Sequence, residues 1–165
     1  MELEALRDEQ RLEWGLSAPG WLEHRDHLSA PSGAMTWRIL ERAALRSGDA
    51  VLDLACGIGN PSAEIAEVVG SGGRVLGLDL SEQMIAGAKR WAAERAASQV
   101  EFRVIREEGA LDLGGERFDA AVCRVGLQYM PDQRGALSAV RGCLVPGGAW
   151  SQPRSVRQPG AWRSR

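Results

Sequence analysis

A glycine-rich turn between an apolar run and a helix constrains this fold more than any other feature. Residues 51–60, VLDLACGIGN, pair a short apolar run with Gly57 and Gly59. Glycine permits positive φ angles and leaves the backbone bare for a ligand to approach. Asn60 then suits a helix N-cap and Pro61 the first helical position, and a helix N-terminus offers unpaired N–H groups to an anion. The segment predicts a strand, a ligand-binding turn and a helix.

Short apolar runs alternate with helical segments along most of the chain. Nearly continuous apolar runs indicate strands that are covered on both faces, and this alternation is typical of parallel sheets between helices. The predicted strands are Ala50–Ala55, Arg74–Leu80, Val100–Ile105 and Phe118–Leu127, and the predicted helices are Pro61–Val69, Glu82–Ala97 and Gln133–Leu144. We therefore predict an α/β fold with a parallel sheet and helices on both faces.

The two ends of the chain differ from this alternating part. Residues 1–47 have helical periodicity, with segments centred on Leu3–Trp14 and Ser32–Leu45, and are predicted to form a helical lid on a core at residues 48–150. Residues 151–165 hold two prolines and four arginines without an acidic residue, so we predict a disordered tail.

Charge and cysteine content exclude several classes of protein. The net charge of −2 gives no basic field for nucleic acid, and no apolar run reaches the length of a membrane span. The three cysteines show no CxxC spacing, which argues against a disulfide framework or a zinc site. We expect a cytoplasmic protein with no metal site, no nucleic-acid partner and no membrane span.

An acidic residue lies at the end of the second predicted strand, at a spacing typical of nucleotide-binding folds. Asp79 comes twenty residues after Gly59, where a carboxylate can accept both hydroxyls of a ribose. A dinucleotide fingerprint needs a third glycine where this chain has Ser62. The carboxylate of Asp53 would also repel a pyrophosphate, whereas it suits an ammonium group. A nucleoside that carries an amino acid is favoured, with a nicotinamide dinucleotide as the weaker alternative.

Four ordered motifs carry a resemblance to a known family. They are VLDLACGIGN at 51–60, GLDLSEQMI at 77–85, FDAAVCRVGLQYMPD at 118–132 and LVPGGAW at 144–150. Together they resemble the class I S-adenosylmethionine-dependent methyltransferases, in particular the small-molecule, ubiquinone- and menaquinone-biosynthesis-like group (methyltransferase type 11). The resemblance implies a Rossmann-like fold, S-adenosylmethionine as cofactor, and methyl transfer to a small-molecule acceptor by in-line displacement at the sulfonium methyl.

The resemblance also implies which residues bind the cofactor, while it implies no catalytic residue. Asp53 and the turn glycines would hold the methionine moiety, Asp79 the ribose, and the side chains of Leu80 and Met84 would flank the adenine. The acid that takes the adenine amino group is either Glu107 or Glu108. The implied cofactor-binding positions are Asp53, Ala55, Gly57, Gly59, Asp79, Leu80, Met84, Glu107, Glu108 and Arg124.

Several residues have an ordinary structural interpretation beside a functional one. Cys56 is better explained as a small loop residue than as a nucleophile, because no His or Asn is linked to it by a motif. His24 and His27 have the spacing of a solvated helix pair more than that of a metal site. Arg124 suits a contact with cofactor or acceptor and a salt bridge about equally. The same holds for Trp14, Trp21 and Trp37, between an acceptor pocket and lid packing.

The family pattern stops early in this chain. Members continue beyond the fifth strand with two further strands, in the order 3-2-1-4-5-7-6, whereas here Ala149 and Trp150 begin a strand that Pro153 ends. We therefore predict a truncated sheet without strands 6 and 7, whose strand 4 is an exposed apolar edge and a site of self-association. The alternative function is a non-catalytic remnant that at most binds S-adenosylmethionine.

Overall fold

The computed structural model describes residues 2–153, without the side chains of residues 27–32. Its helices are α1 (Glu2–Glu23), α2 (Arg25–Ala43), α3 (Asn60–Val69), α4 (Glu82–Glu94) and α5 (Gln133–Cys143). Its strands are β1 (Ala50–Leu54), β2 (Arg74–Asp79), β3 (Val100–Val104), β4 (Phe118–Val122) and β5 (Leu144–Ser151), and a short 3₁₀ helix spans Gly126–Tyr129. The predicted disordered tail lies outside the described residues from position 154 onward, and Ser151 belongs to β5.

The five strands form one sheet in the order β3-β2-β1-β4-β5, and every neighbouring pair is parallel. Helices α2, α3 and α4 pack on one face of the sheet, and α5 packs on the other. Residues 2–153 contain no counterpart of strands 6 and 7. The predicted α/β, Rossmann-like fold with an incomplete sheet is confirmed.

Side chains of the central strands alternate between two hydrophobic clusters, one on each face of the sheet. Val51, Val75 and Ala120 pack with α2 and α3 on one face, while Leu52 and Leu76 pack with α5 on the other. Successive side chains of a strand point to opposite faces, so apolar residues at consecutive positions are what a doubly covered sheet requires. This explains the nearly continuous apolar runs.

The predicted apolar edge at strand 4 is wrong, because β4 is an inner strand. It pairs with β1 at Val51↔Ala120 and with β5 at Ala120↔Ala149. The fifth strand begins at Leu144 instead of Ala149, since α5 passes directly into β5. A register shift across residues 146–148 absorbs the PGG sequence, where Gly147 has φ +82°. The edge strand on this side of the sheet is therefore β5, and β3 is the edge strand on the other side.

The N-terminal helices are longer than the sequence predicted. Helix α1 continues to Glu23 with Pro19 inside it, and α2 begins at Arg25. Ile39 and Leu40 of α2 share a cluster with Val51, so this helix packs against the sheet. The division into a lid at 1–47 and a core at 48–150 stays a prediction. None of the described helices is both long and apolar enough to cross a bilayer.

Candidate cofactor site

A cavity of about 230 Å³ lies at the carboxyl ends of the strands, beneath α1. Clefts at this edge of a parallel sheet are where α/β proteins bind ligands. Its wall is formed by α1, the turn after β1, the residues that follow β2 and β3, and the loop after β4. The described residues that line it include Gln10, Trp14, Trp21, Ala55, Gly57, Asp79, Leu80, Met84, Glu108, Arg124, Gly126 and Tyr129.

The two glycines of the turn after β1 serve different purposes. Gly57 has φ +56° and lines the cavity, and a Cβ atom there would meet no atom within 4 Å. Gly59 has φ +91° and faces away, because its Cβ would lie 3.1 Å from the ring of Phe102 and 3.3 Å from Ala88. Gly57 thus leaves the cavity wall open, whereas Gly59 lets the turn pack against α4 and β3.

The N-cap of α3 is Gly59, one residue earlier than the predicted Asn60. Asn60 is the first helical residue and Pro61 follows it, and both line the cavity. Gly59 adopts the left-handed conformation that the end of this turn requires, which shifts the start of the helix by one position. The helix N-terminus still faces the cavity, as predicted.

The loop after β4 approaches the turn after β1 very closely. A Cβ atom on Gly126 would lie 2.2 Å from the Cβ of Ala55, so only glycine fits there. Val125, next to it, has φ +72°, a left-handed conformation that strains a β-branched residue. This bend ends β4 at Val122, before the predicted end at Leu127, and turns Val125 toward the cavity.

Asp79 presents a carboxylate to the cavity from the end of β2. Its Oδ2 accepts a hydrogen bond from the N–H of Gly57 at 2.8 Å, and its Oδ1 accepts one from the N–H of Ser81 at 2.9 Å. Burial raises the pKa of Asp79, an effect that the backbone N–H groups of Ser81, Gly57 and Leu80 oppose. A carboxylate has about four acceptor positions, so Asp79 keeps acceptor capacity for the hydroxyls of a ligand beyond its bonds to the backbone.

Asp53 lies behind the cavity wall. It is fully buried at the end of β1, and its Oδ2 accepts a hydrogen bond from the hydroxyl of Ser62 at 2.7 Å. Its Oδ1 has no hydrogen-bond partner among the described residues. Burial raises the pKa of Asp53 to about 7, against the opposing effects of Ser62 and Arg124. This carboxylate acts on the cavity through its charge, without lining it.

The two candidate acids after β3 differ in placement. Glu108 is buried and lines the cavity, whereas the side chain of Glu107 is 47% exposed. Both oxygens of Glu108 accept hydrogen bonds within the protein, from Arg7 Nε at 2.8 Å and from the N–H of Asp132 at 2.6 Å. Burial raises the pKa of Glu108, but the hydrogen bonds from Arg7, its own N–H and Asp132 bring it below the ordinary value.

Leu80, Met84 and Arg124 all line the cavity. Arg124 follows β4 and donates a hydrogen bond to the hydroxyl of the buried Thr36 at 3.1 Å. Burial lowers the pKa of Arg124, and the nearby acids Asp53 and Glu64 oppose that effect. Arg124 therefore gives the cavity wall a cationic group besides the carboxylate of Asp79.

Cys56 lines the cavity but is almost completely buried. Burial raises the pKa of its thiol well above the ordinary value, so the sulfur is protonated at neutral pH. A protonated thiol is a poor nucleophile. Its position in the turn fits the interpretation as a small loop residue.

Aromatic rings from α1 cover the cavity. The ring of Trp14 lies 5.2 Å from the ring of Tyr129 in an edge-to-face arrangement and 6.4 Å from the ring of Trp21. Trp37 is different: it does not line the cavity and its side chain is 68% exposed. The sequence did not single out Tyr129 or Gln10 as wall residues, since the periodicity of α1 is weak and the loop after β4 has no regular pattern.

A known protein family matches a large part of this chain. Residues 51–148, well over half of the chain, match the family model of the methyltransferase domain. The chain belongs to the class I S-adenosylmethionine-dependent methyltransferases. The matched range contains the turn after β1, Asp79, the loop after β4 and the first half of β5, whereas the part of the cavity wall that α1 forms lies outside it.

Curated relatives and solved structures agree with this assignment. The demethylmenaquinone methyltransferase of Lactococcus lactis is 35% identical over 116 residues, which cover 68% of this chain and 45% of that protein. The methyltransferase from Aquifex aeolicus described as S-adenosylmethionine-dependent superposes with a TM-score of 0.66 at 19% identity, over 75% of this chain and 68% of that one. The [4+2]-cyclase SpnF has a TM-score of 0.64 at 29% identity, over 70% and 42%.

The shared length limits what the relatives can say about the whole protein. The chain spans less than half the length of the curated relatives that it matches. Those proteins contain further residues outside the shared range, and the comparison does not cover them. The family assignment therefore concerns the sheet and the part of the cavity wall within residues 51–148.

Proposed function

We propose that the cavity binds S-adenosylmethionine and that the chain transfers its methyl group to a small-molecule acceptor. The observation that carries this proposal is the carboxylate of Asp79 on the cavity wall, held by the N–H groups of Gly57 and Ser81. A fixed carboxylate with unused acceptor positions suits the two hydroxyls of a ribose. The acceptor positions of Asp79 in the cavity therefore suit S-adenosylmethionine, the cofactor that the family uses.

The surrounding residues fit the other parts of that cofactor. The apolar side chains of Leu80 and Met84 lie next to Asp79 on the cavity wall and would flank the adenine ring. The bare backbone at Gly57 would admit the methionine moiety, while the charge of Asp53 behind the wall favours its ammonium group. Each of these roles is proposed from position and chemistry together.

Catalysis in this site would depend on placement more than on covalent work by the protein. When bound, S-adenosylmethionine supplies an activated methyl group on a sulfonium. The protein aligns the acceptor with that group and keeps water away, and orientation of this kind lowers a barrier by up to about 7–11 kcal/mol. Trp14, Trp21 and Tyr129 supply the aromatic cover that excludes water. We propose no catalytic acid or base.

A second candidate is a site that binds the cofactor without transferring its methyl group. The similarity to the [4+2]-cyclase SpnF favours this candidate, because that protein shares the fold and is named for a different reaction. A fold hosts more than one chemistry, so the family alone does not fix the reaction. Both candidates require that S-adenosylmethionine bind in the cavity.

Calorimetric titration with S-adenosylmethionine tests the requirement that both share. We expect saturable binding with one site per chain, and no binding of a nicotinamide dinucleotide, which serves as the control ligand. Circular dichroism beforehand establishes that the chain is folded. A folded chain that does not bind S-adenosylmethionine would refute the proposal. Where binding is found, transfer of an isotopically labelled methyl group to candidate acceptors separates the enzyme from the binding protein.

Self-association through the edge of the sheet is also proposed, now at Ala149–Ser151 of β5. Within residues 2–153, β4 is the one strand that pairs with β5, which leaves its other side open to strand addition. Pro146 and the register shift next to it blunt the first half of this edge. We expect the average mass in analytical ultracentrifugation to rise with concentration, and a monomer at every concentration would contradict this.

A further inference from the structure

An ion pair joins helix α1 to the loop after β3 at one end of the cavity. Arg7 Nε donates to Glu108 Oε2 at 2.8 Å, and the two side chains are only 11% and 4% exposed. The other oxygen of Glu108 accepts from the N–H of Asp132, whose own carboxylate caps α5 by accepting from the N–H of Gly135 at 2.8 Å. One buried carboxylate therefore connects α1, the loop after β3 and the start of α5.

Helix α1 crosses the cavity between this ion pair and a second attachment. At the far end, Ala18 is buried in a cluster with Ile58 and Met84, and a Cβ on Gly87 of α4 would lie 2.8 Å from Leu22. Beyond the end of α1, Arg25 hydrogen-bonds to the carbonyl of Ile58. The first turns of α1 lack such a cluster, so the Arg7–Glu108 pair is the main buried attachment there.

We infer that Glu108 is a positioning residue, which with Arg7 latches α1 closed over the cofactor cavity. This inference rests on the proposed function. One oxygen of Glu108 accepts from the charged side chain of Arg7 and the other from the N–H of Asp132, and withdrawal of Arg7 would leave a buried carboxylate without its cationic partner. The exposed neighbour Glu107, 3.5 Å from Arg7 Nη1, supports the pair from outside.

The latch has a kinetic consequence that distinguishes it from a binding contact. On this inference the first turns of α1, up to Trp14 on the cavity wall, move away when a ligand enters or leaves, and because Arg7 lies on the same segment that motion parts the Arg7–Glu108 pair. A pair that is closed with and without ligand slows association and dissociation alike, and so leaves the affinity nearly unchanged. A side chain that touches the ligand would instead change the affinity.

The test compares Arg7→Met with Arg103→Met, using S-adenosylhomocysteine as the probe. Arg103 forms ion pairs with Glu101 and Glu116, each at 2.6 Å, is half-buried and does not line the cavity, so it is the matched control. We expect Arg7→Met to raise both rate constants by about tenfold with the affinity within about threefold, the scale of one charged hydrogen bond. Arg7→Lys should restore slow exchange in part, and the control should change neither rate.

Two further measurements keep the inference falsifiable. Amide hydrogen exchange in the first turns of α1 should accelerate in Arg7→Met and stay unchanged in Arg103→Met, a comparison that needs no ligand. Glu108→Gln should affect S-adenosylhomocysteine and its 6-oxo analogue S-inosylhomocysteine equally, and should not add to Arg7→Met.

Either of two results would overturn the latch. One is that Arg7→Met changes neither the amide hydrogen exchange in the first turns of α1 nor the association and dissociation rates of S-adenosylhomocysteine. The other is a loss of affinity in Glu108→Gln that is confined to the ligand with the amino group, which would make Glu108 the adenine reader. If no ligand binds to any form, the proposed function has failed, and hydrogen exchange still decides whether the pair holds α1.

Discussion

Replacing Asp79 by alanine is expected to weaken S-adenosylmethionine binding by more than about 100-fold. Two hydrogen bonds from ribose hydroxyls to a charged acceptor are each worth about 1.5–3 kcal/mol, and every 1.4 kcal/mol is a factor of ten in affinity. The substitution also removes the acceptor for the N–H groups of Gly57 and Ser81, so the turn that forms the cavity wall would lose its anchor. Calorimetric titration gives the affinity directly.

Two controls separate a lost contact from a lost fold. Asp79→Asn preserves the shape but keeps an acceptor for only one of the two backbone N–H groups, so its fold is checked by thermal unfolding and circular dichroism, and it should lose most of the affinity while staying folded. Asp112→Ala removes an exposed carboxylate that does not line the cavity, and should change neither quantity. An Asp79→Asn variant that binds S-adenosylmethionine within twofold of the unmodified chain would reject the assignment of Asp79 to the ribose.

The sequence predicted the sheet because apolar strands carry their signal locally. Each strand of a doubly covered parallel sheet is a short continuous apolar run, and the pairing order of β1 to β4 matches what the resemblance implied. The edge strand on the β4 side was predicted wrongly: the sequence placed it at β4, and the structure has it at β5. Its first half, residues 144–148, contains a proline and two glycines, and the pairing that holds it depends on β4, which is distant in sequence.

The site was predictable where its geometry depends on backbone. Gly57 and Asp79 stood out because a turn with positive φ and an acid at the end of the next strand leave marks at fixed spacing. The partner of Glu108 was not predictable, because Arg7 lies about 100 positions away on a helix with weak periodicity. Trp14 and Tyr129 are also far apart in sequence, so the aromatic cover over the cavity is visible only in the three-dimensional arrangement.

Asp53→Asn is expected to stabilise the chain at pH 8 and to have little effect near pH 4. The folded-state pKa of Asp53 is about 7, raised by burial from 3.8. Between pH 3.8 and about 7 folding takes up a proton, so the contribution of this carboxyl to the free energy of unfolding falls as pH rises. Above pH 7 the carboxyl is ionised in both states, and the full cost of burying its charge opposes folding. At about 1.4 kcal/mol per pKa unit the penalty is about 4 kcal/mol.

The replacement suits the site because the amide oxygen of asparagine accepts the hydroxyl hydrogen bond of Ser62 as the carboxylate does. Urea denaturation at pH 4, 6 and 8 measures the difference in unfolding free energy between the two chains, with Asp112→Asn as the exposed control. A difference that stays constant across this range would contradict a raised pKa at Asp53. Arg124, Glu64 and Asp79 all act on this carboxyl, so the titration belongs to the cluster and its midpoint is read as an apparent value.

The same carboxyl is expected to link cofactor binding to pH. The ammonium group of S-adenosylmethionine is attracted only by the ionised form of Asp53, so binding near pH 7 is expected to release a proton. The affinity should then fall by up to about tenfold for each pH unit below the pKa, and Asp53→Asn should remove this dependence at the cost of affinity at pH 8. Calorimetry in buffers of different ionisation enthalpy counts the protons released. Binding that releases none at pH 7, while the stability of the unliganded chain titrates as expected, would place Asp53 in the fold alone and outside cofactor recognition.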